Sequence, residues 1–292
     1  MKNNVARKFL FKLKASVLQT HTASEANTYL QKMLASDKPI MVARFGAVEI
    51  KAVLYGILPP PISKILRKYC KKHLHNNAGF FPLDDISIKR FAKIMLEDMK
   101  EVDILGSWRP EEIFFKKRLR HSYRCPIETL TPQLNLSKPW SMALANKKIL
   151  IIHPFAKSIE HQYKFRRDKL FENKNILPEF QSFEIVKAVQ TIAYHTAGFK
   201  SWFEALEYMK QEISKKDFDI ALIGCGAYGF PLAAHIKRMG KKAVHIGGSL
   251  QLYFGIKGKR WDNSNLYNEY WVSPSDEEKP KNLSQVEKGC YW

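Results

Sequence analysis

Short apolar runs alternate with longer amphipathic stretches along this chain. Residues 39–43, Pro-Ile-Met-Val-Ala, form an unbroken apolar run of strand length, as in strands buried on both faces. The run ends at Arg44-Phe45-Gly46. A helical stretch over 47–55 follows, stopped by Gly56 and by Pro59, Pro60 and Pro61. Similar runs stand at 148–153, where Pro154 breaks the pattern, at 218–223 and at 243–246, with further strand candidates at 102–105 and 183–189. Between them, helical periodicity predicts helices over 22–35, 62–74, 86–100, 158–172, 201–214 and 227–239, the first capped by Thr22 or Ser24. Strands alternating with helices at this spacing predict an α/β fold: a Rossmann-like, mostly parallel sheet with helices on both faces. Residues 1–20 are basic, partly apolar and a further helix candidate. The expected organisation is an N-terminal basic helical region at 1–37, a Rossmann-like domain at 38–262 and a C-terminal tail at 263–292. The polar, proline-marked stretch 126–139 reads as a linker.

Composition narrows the class. At 292 residues and 45% apolar content, a large core is within reach. No apolar run approaches the roughly 18 residues of a membrane span. Lys12 and Lys14 interrupt the apolar residues near the start, and no small-residue cleavage site follows, so a signal peptide is not expected. Cys70, Cys125, Cys225 and Cys290 are scattered without a C-x-x-C pair, which fits reduced thiols in the cytoplasm.

The formal charge of +20 favours anionic partners. Residues 1–128 carry 24 basic against 12 acidic side chains, and residues 129–292 carry 24 against 16, so the excess is general. It is dense on the helix from residue 62. There Ile62, Ile65, Leu66, Tyr69 and Leu74 make an apolar stripe, and Lys64, Arg67, Lys68, Lys71 and Lys72 crowd the rest. Such a helix either packs on its own core or also lies on an anionic membrane, which would place the protein peripherally at the inner face. Nucleic acid is not the expected partner, because no RNA-binding signature is present.

The chemistry concentrates at strand ends. An apolar strand runs into Gly224-Cys-Gly-Ala-Tyr-Gly229, a G-x-G-x-x-G turn that opens a helix, and a second strand follows near Ala243. Such a turn brings backbone N–H groups to an anion. Gly224, Gly226, Tyr228 and Gly229 are therefore candidates to hold a nucleotide, although packing alone also explains such glycines. The next strand ends at Val244-His245-Ile246-Gly247-Gly248 without the acidic residue that a dinucleotide's ribose requires. An NAD-dependent oxidoreductase is thus an alternative, and a nucleotide carried by a donor substrate is the better reading. Gly247 and Gly248 form a second glycine turn, and Lys257, Lys259 and Arg260 are candidates for phosphate, with Trp261 as a stacking platform. His153 ends another strand. Arg44 and Glu49 flank Gly46 at a strand-to-helix junction, where Glu49 is suited to act as a base or to meet a hard cation.

At these residues the sequence resembles a family. Arg44-Phe-Gly-Ala-Val-Glu49 is similar to the R-F-G-D-G-E motif of the GT-D-type bacterial glycosyltransferases, and the glycine turns with Arg260-Trp261-Asp262 are similar to the later part of such chains. The resemblance implies a UDP-sugar donor, a glycan or lipid-linked glycan acceptor, and a role in bacterial surface polysaccharide or glycoconjugate synthesis. It assigns the donor to Arg44, Gly46, Gly224, Gly226, Tyr228, Gly229, Gly247, Gly248 and Arg260. Glu49 and His153 are the catalytic candidates. The family's first motif carries an Asp-x-Glu associated with Mn2+ or Mg2+. Here Ala47 stands at the Asp position, leaving Glu49, with Asp262 as a substitute ligand, or metal-independent neutralisation by the basic residues. A non-enzymatic basic binding module is the remaining alternative.

Overall fold

The computed structural model describes residues 21–280, 282–286 and 289–292. The helix expected over 1–20 lies outside them. Among the described residues seven strands form one all-parallel sheet. They are β1 (Ile40–Ala43), β2 (Ile104–Ser107), β3 (Tyr123–Pro126), β4 (Lys148–His153), β5 (Ser182–Lys187), β6 (Ile220–Ile223) and β7 (Lys242–His245). Their order is β3-β2-β1-β7-β6-β4-β5. The apolar runs are continuous because side chains alternate between two covered faces. Ile40, Val42, Ile149, Ile151, Ile220 and Leu222 enter one core. Their neighbours Met41, Ala43, Leu150, Ile152, Ala221 and Ile223 enter the other.

The first core is closed by α1 (Ala23–Ala35), α5 (Ala156–Leu170) and the short α8 (Leu250–Tyr253). The second is closed by α2 (Glu49–Ile57), α3 (Ile62–Ala78), α4 (Asp85–Asp98), α6 (Trp202–Ser214) and α7 (Gly229–Arg238). Local signals set the helix starts. Thr22 caps α1 in a capping box with Glu25, Asp84 accepts from Ser87 N–H at 2.8 Å, and Ser201 accepts from Glu204 N–H at 3.2 Å. Chain on both sides of 38–262 packs into the first core: Ala26, Leu30 and Leu34 of α1, and Trp271, Val286 and Trp292 near the C-terminus.

Three local expectations change. Residues 126–139 are not a linker. They contain part of β3 and the buried Leu130, and the Lys138 carbonyl accepts from Asn27 and Gln31 of α1 at 2.9 and 2.6 Å. Gly56 does not stop α2, which runs to Ile57 because Gly56 lets α4 approach; a Cβ there would lie 2.4 Å from that of Ala92. In α3, Cys70 and Leu74 are buried, yet Ile65 is 75% exposed and stands among the lysines. Ile62's side chain lies outside the described set. Among the described residues no helix is long and apolar enough to cross a membrane.

Candidate active site

The four central strands, β1, β7, β6 and β4, end side by side. In an open parallel sheet the carboxyl ends of strands are where ligands bind. A cavity of about 1050 Å³, mouth included, lies there. Arg44, Gly46, Ala47 and Glu49 line it from β1, His153 from β4, Gly224, Gly226 and Tyr228 from β6, and Gly247 and Gly248 from β7. Arg260 closes the rim. Residues separated by more than 200 positions thus meet around one space.

Two predicted residues fall outside the lining. Gly229 faces inward at the start of α7, where a Cβ would lie 2.3 Å from His245 Nε2, so this glycine serves helix–strand packing. Asp262 is exposed on a 3-10 turn over Lys259–Ser264 and is not among the lining residues. Lys257, Lys259 and Trp261 are also outside the lining. Trp261 packs on Tyr291 with ring centroids 6.1 Å apart.

Glu49 opens α2, where a carboxylate is favoured by the helix N-terminus. Its carboxylate folds back over Gly46. A Cβ on Gly46 would stand 1.9–2.1 Å from the carboxylate atoms, so the glycine supplies the space that Glu49 occupies. Beside it, the Arg44 guanidinium lies 5.1 Å from the centre of the Trp108 ring, and the Trp108 indole N–H donates to the Phe45 carbonyl at 2.8 Å. The Arg44 charge is also one cause of the depressed pKa of His245, after burial. Arg260 lies 4.6 Å from the Tyr291 ring centre.

The histidines are buried and neutral. Burial alone depresses the His153 pKa to about 3. Its Nδ1 accepts from the Phe155 backbone N–H at 3.0 Å, which leaves the ring proton on Nε2. His245 is likewise depressed to about 3, and its Nδ1 is buried without a hydrogen-bond partner. The Tyr228 phenol is committed to the wall: it bonds Thr191 Oγ1 at 2.8 Å, Thr191 donates to the Gly79 carbonyl at 2.6 Å, and the ring stacks on Trp202.

Sequence reasoning missed Trp108, Gln190, Thr191, His245 and Trp292, which also line the cavity. Trp108, Gln190 and His245 stand within three residues of a strand's carboxyl end, the signal that singled out His153. Trp292 carried no local signal. Gln190 Nε2 is buried without a hydrogen-bond partner.

The arrangement combines two arginines, a neutral imidazole N–H and a carboxylate in a cavity. It can hold an anionic group and accept one proton. For a divalent cation the donor set is poor. Among the described residues Glu49 is the one acidic residue in the lining, and no group of three His, Cys, Asp or Glu is placed to hold a metal. One carboxylate does not make a protein-built cation site; a cation held at Glu49 would take its other oxygen ligands from the donor's phosphates and water.

Residues 21–253 match the GT-D-like family model, described as a GT-D fold-like domain. No curated protein matches the chain. Among solved structures, a glycosyltransferase from Streptococcus sanguinis is similar at 14% identity and a TM-score of 0.42, over 92% of this chain and 98% of that one. A selenomethionine-substituted domain of unknown function is similar at 13% identity and a TM-score of 0.43, over 95% and 98%.

Proposed function

Because this chain belongs to the GT-D-like family, whose model spans well over half of it, we propose that it transfers a sugar from a nucleoside diphosphate sugar, UDP-linked in the first instance, to a hydroxyl of a glycan acceptor. The observation that carries this is the placement of Arg44, Glu49 and the 224–226 turn around one cavity at the carboxyl ends of the central strands.

The roles follow from the chemistry. The acceptor oxygen bonds to the anomeric carbon as the bond from that carbon to the diphosphate oxygen breaks. The electron pair of the broken bond leaves on the diphosphate. Arg44 and Arg260 are assigned to stabilise that growing charge. The acceptor's proton passes to Glu49, the one carboxylate that the described residues place in the lining. His153 is assigned as a neutral N–H donor to a donor oxygen, since a ring with a pKa near 3 is a weak base at neutral pH. Charge neutralisation is assigned to the arginines, and a cation would join them only through the donor's own phosphates. A surface polysaccharide or glycoconjugate, lipid-linked while it grows, is the acceptor class this reading carries.

The test is a thermal-shift panel of nucleotide sugars and NAD, with manganese or EDTA, followed by diphosphate release with the binding donor. At least one nucleotide sugar is expected to raise Tm by mass action, in EDTA as well as in manganese. Glu49→Gln is expected to keep donor binding and lose transfer by a hundredfold or more. A shift with NAD alone, or none with any nucleotide sugar, overturns the reading.

A further inference from the structure

A second surface lies beyond the cavity, on the outer side of α3. This helix has 17 residues and no acidic side chain. Lys64, Lys68, Lys71 and Lys72 are exposed, and at 100° per residue they fall with Ile65 within an arc of about 120°. Arg67 and Lys71 share Asp85 at 2.8 and 3.8 Å, while Lys64, Lys68 and Lys72 have no acidic partner among the described residues. The same ion pair ties α3 to the start of α4, where Ile86 follows Asp85. Ile86 at 82% and Ile65 at 75% are the most exposed large apolar side chains among the described residues. Two bare isoleucines therefore flank a ridge of unneutralised lysines, and neither is used by the core.

From this juxtaposition we infer that the outer face of α3 with the start of α4 docks on an anionic lipid bilayer surface. Lysines at a leaflet are attracted by its negative potential, and apolar side chains beside them enter the headgroup boundary. Both features are needed for a membrane, whereas a nucleic acid would use the lysines alone: Tyr69, the one aromatic of α3, is half-buried beneath Lys51. The far end of the helix gives the surface a purpose. Asn77 and Ala78 line the cavity, so one rigid element joins the docking ridge to the site. A membrane-borne acceptor would be met by a cavity held at a fixed height above the leaflet.

The experiment is co-sedimentation of the full chain with phosphatidylcholine vesicles and with vesicles that also contain phosphatidylglycerol. Each variant retains residues 1–20, so that any loss is assigned to α3. The wild type is expected to bind only the anionic vesicles. Lys64→Glu/Lys68→Glu/Lys72→Glu is expected to weaken that binding by about a hundredfold or more, at roughly fivefold for each lysine removed. Ile65→Ser/Ile86→Ser is expected to weaken it tenfold with the charge intact. Unchanged Tm and unchanged donor-induced thermal shift show that the fold and the cavity survive, and they separate failure here from failure of the donor reading. Absence of wild-type binding to anionic vesicles overturns the inference. So do equal binding by the triple variant, and binding to duplex DNA or RNA that the isoleucine variant leaves intact while vesicles are ignored.

Discussion

Gly46 and Glu49 are one structural unit, because the space beside the glycine Cα is where the carboxylate sits. An added Cβ meets the far end of a flexible side chain, so Gly46→Ala is expected to push the carboxylate aside and leave the fold intact. Transfer then falls to the level of Glu49→Gln, a hundredfold or more, while Tm stays within about 2 °C. Steady-state diphosphate release beside a melting curve checks both halves; full activity in Gly46→Ala would remove Glu49 from the role of base. The pairing was half legible in the chain. Arg44, Gly46 and Glu49 stood out as a motif at a strand end, but their contact depends on a rotamer that no spacing encodes. His245 shows the complementary gap. It was read only as the wrong residue for a ribose, yet it lines the cavity behind Gly229. Its neighbour across α7's first turn is fixed by tertiary packing, which local pattern does not reach.

Elements were legible where burial repeats with a period. The runs in β1, β4, β6 and β7 marked the central strands because both sheet faces are covered, and Thr22 marked the start of α1; the caps Asp84 of α4 and Ser201 of α6 went unread. β3 was hidden, since its YRCP sequence at a sheet edge has neither an apolar run nor alternation. Gly56 was misread for a different reason: a glycine near a helix end signals termination, and the same residue serves equally where two helices come close. That difference is measurable. In an isolated helix, alanine would be favoured over glycine by about 1 kcal/mol. Between α2 and α4, the new methyl meets Ala92 at 2.4 Å, and overpacking of this kind costs about 1–3 kcal/mol. Gly56→Ala is therefore expected to lower Tm by about 2–4 °C. Gly56→Ala/Ala92→Gly is expected to recover most of the loss in thermal melts. A stabilised single variant would mean that propensity outweighs the crossing.

At the scale of the whole molecule, the cost of building the cavity floor from buried imidazoles should appear as acid sensitivity. His153 and His245 hold pKa values of about 3 in the folded chain, against about 6.5 when exposed. Below pH 6.5 the unfolded chain gains protons that the folded chain refuses, so the stability these rings allow is complete above 6.5 and is lost as pH falls toward 3. Asp98 works in the opposite sense. Burial raises it to about 6 despite its ion pair with Arg238 at 2.7 Å, so the folded chain takes up a proton first and regains stability as pH falls from 6 toward 4. Between pH 7 and pH 5 the two histidines together withdraw about 4 kcal/mol and Asp98 returns about 1, a net loss of about 3 kcal/mol. Urea unfolding at the two pH values measures the difference directly. His245→Gln removes one of the two imidazoles and is expected to shrink the loss by about 2 kcal/mol, whatever it does to stability at pH 7. Asp98→Asn removes the compensating carboxyl and is expected to enlarge it by about 1 kcal/mol. If neither substitution changes the difference between pH 7 and pH 5, the acid response belongs to groups other than His245 and Asp98.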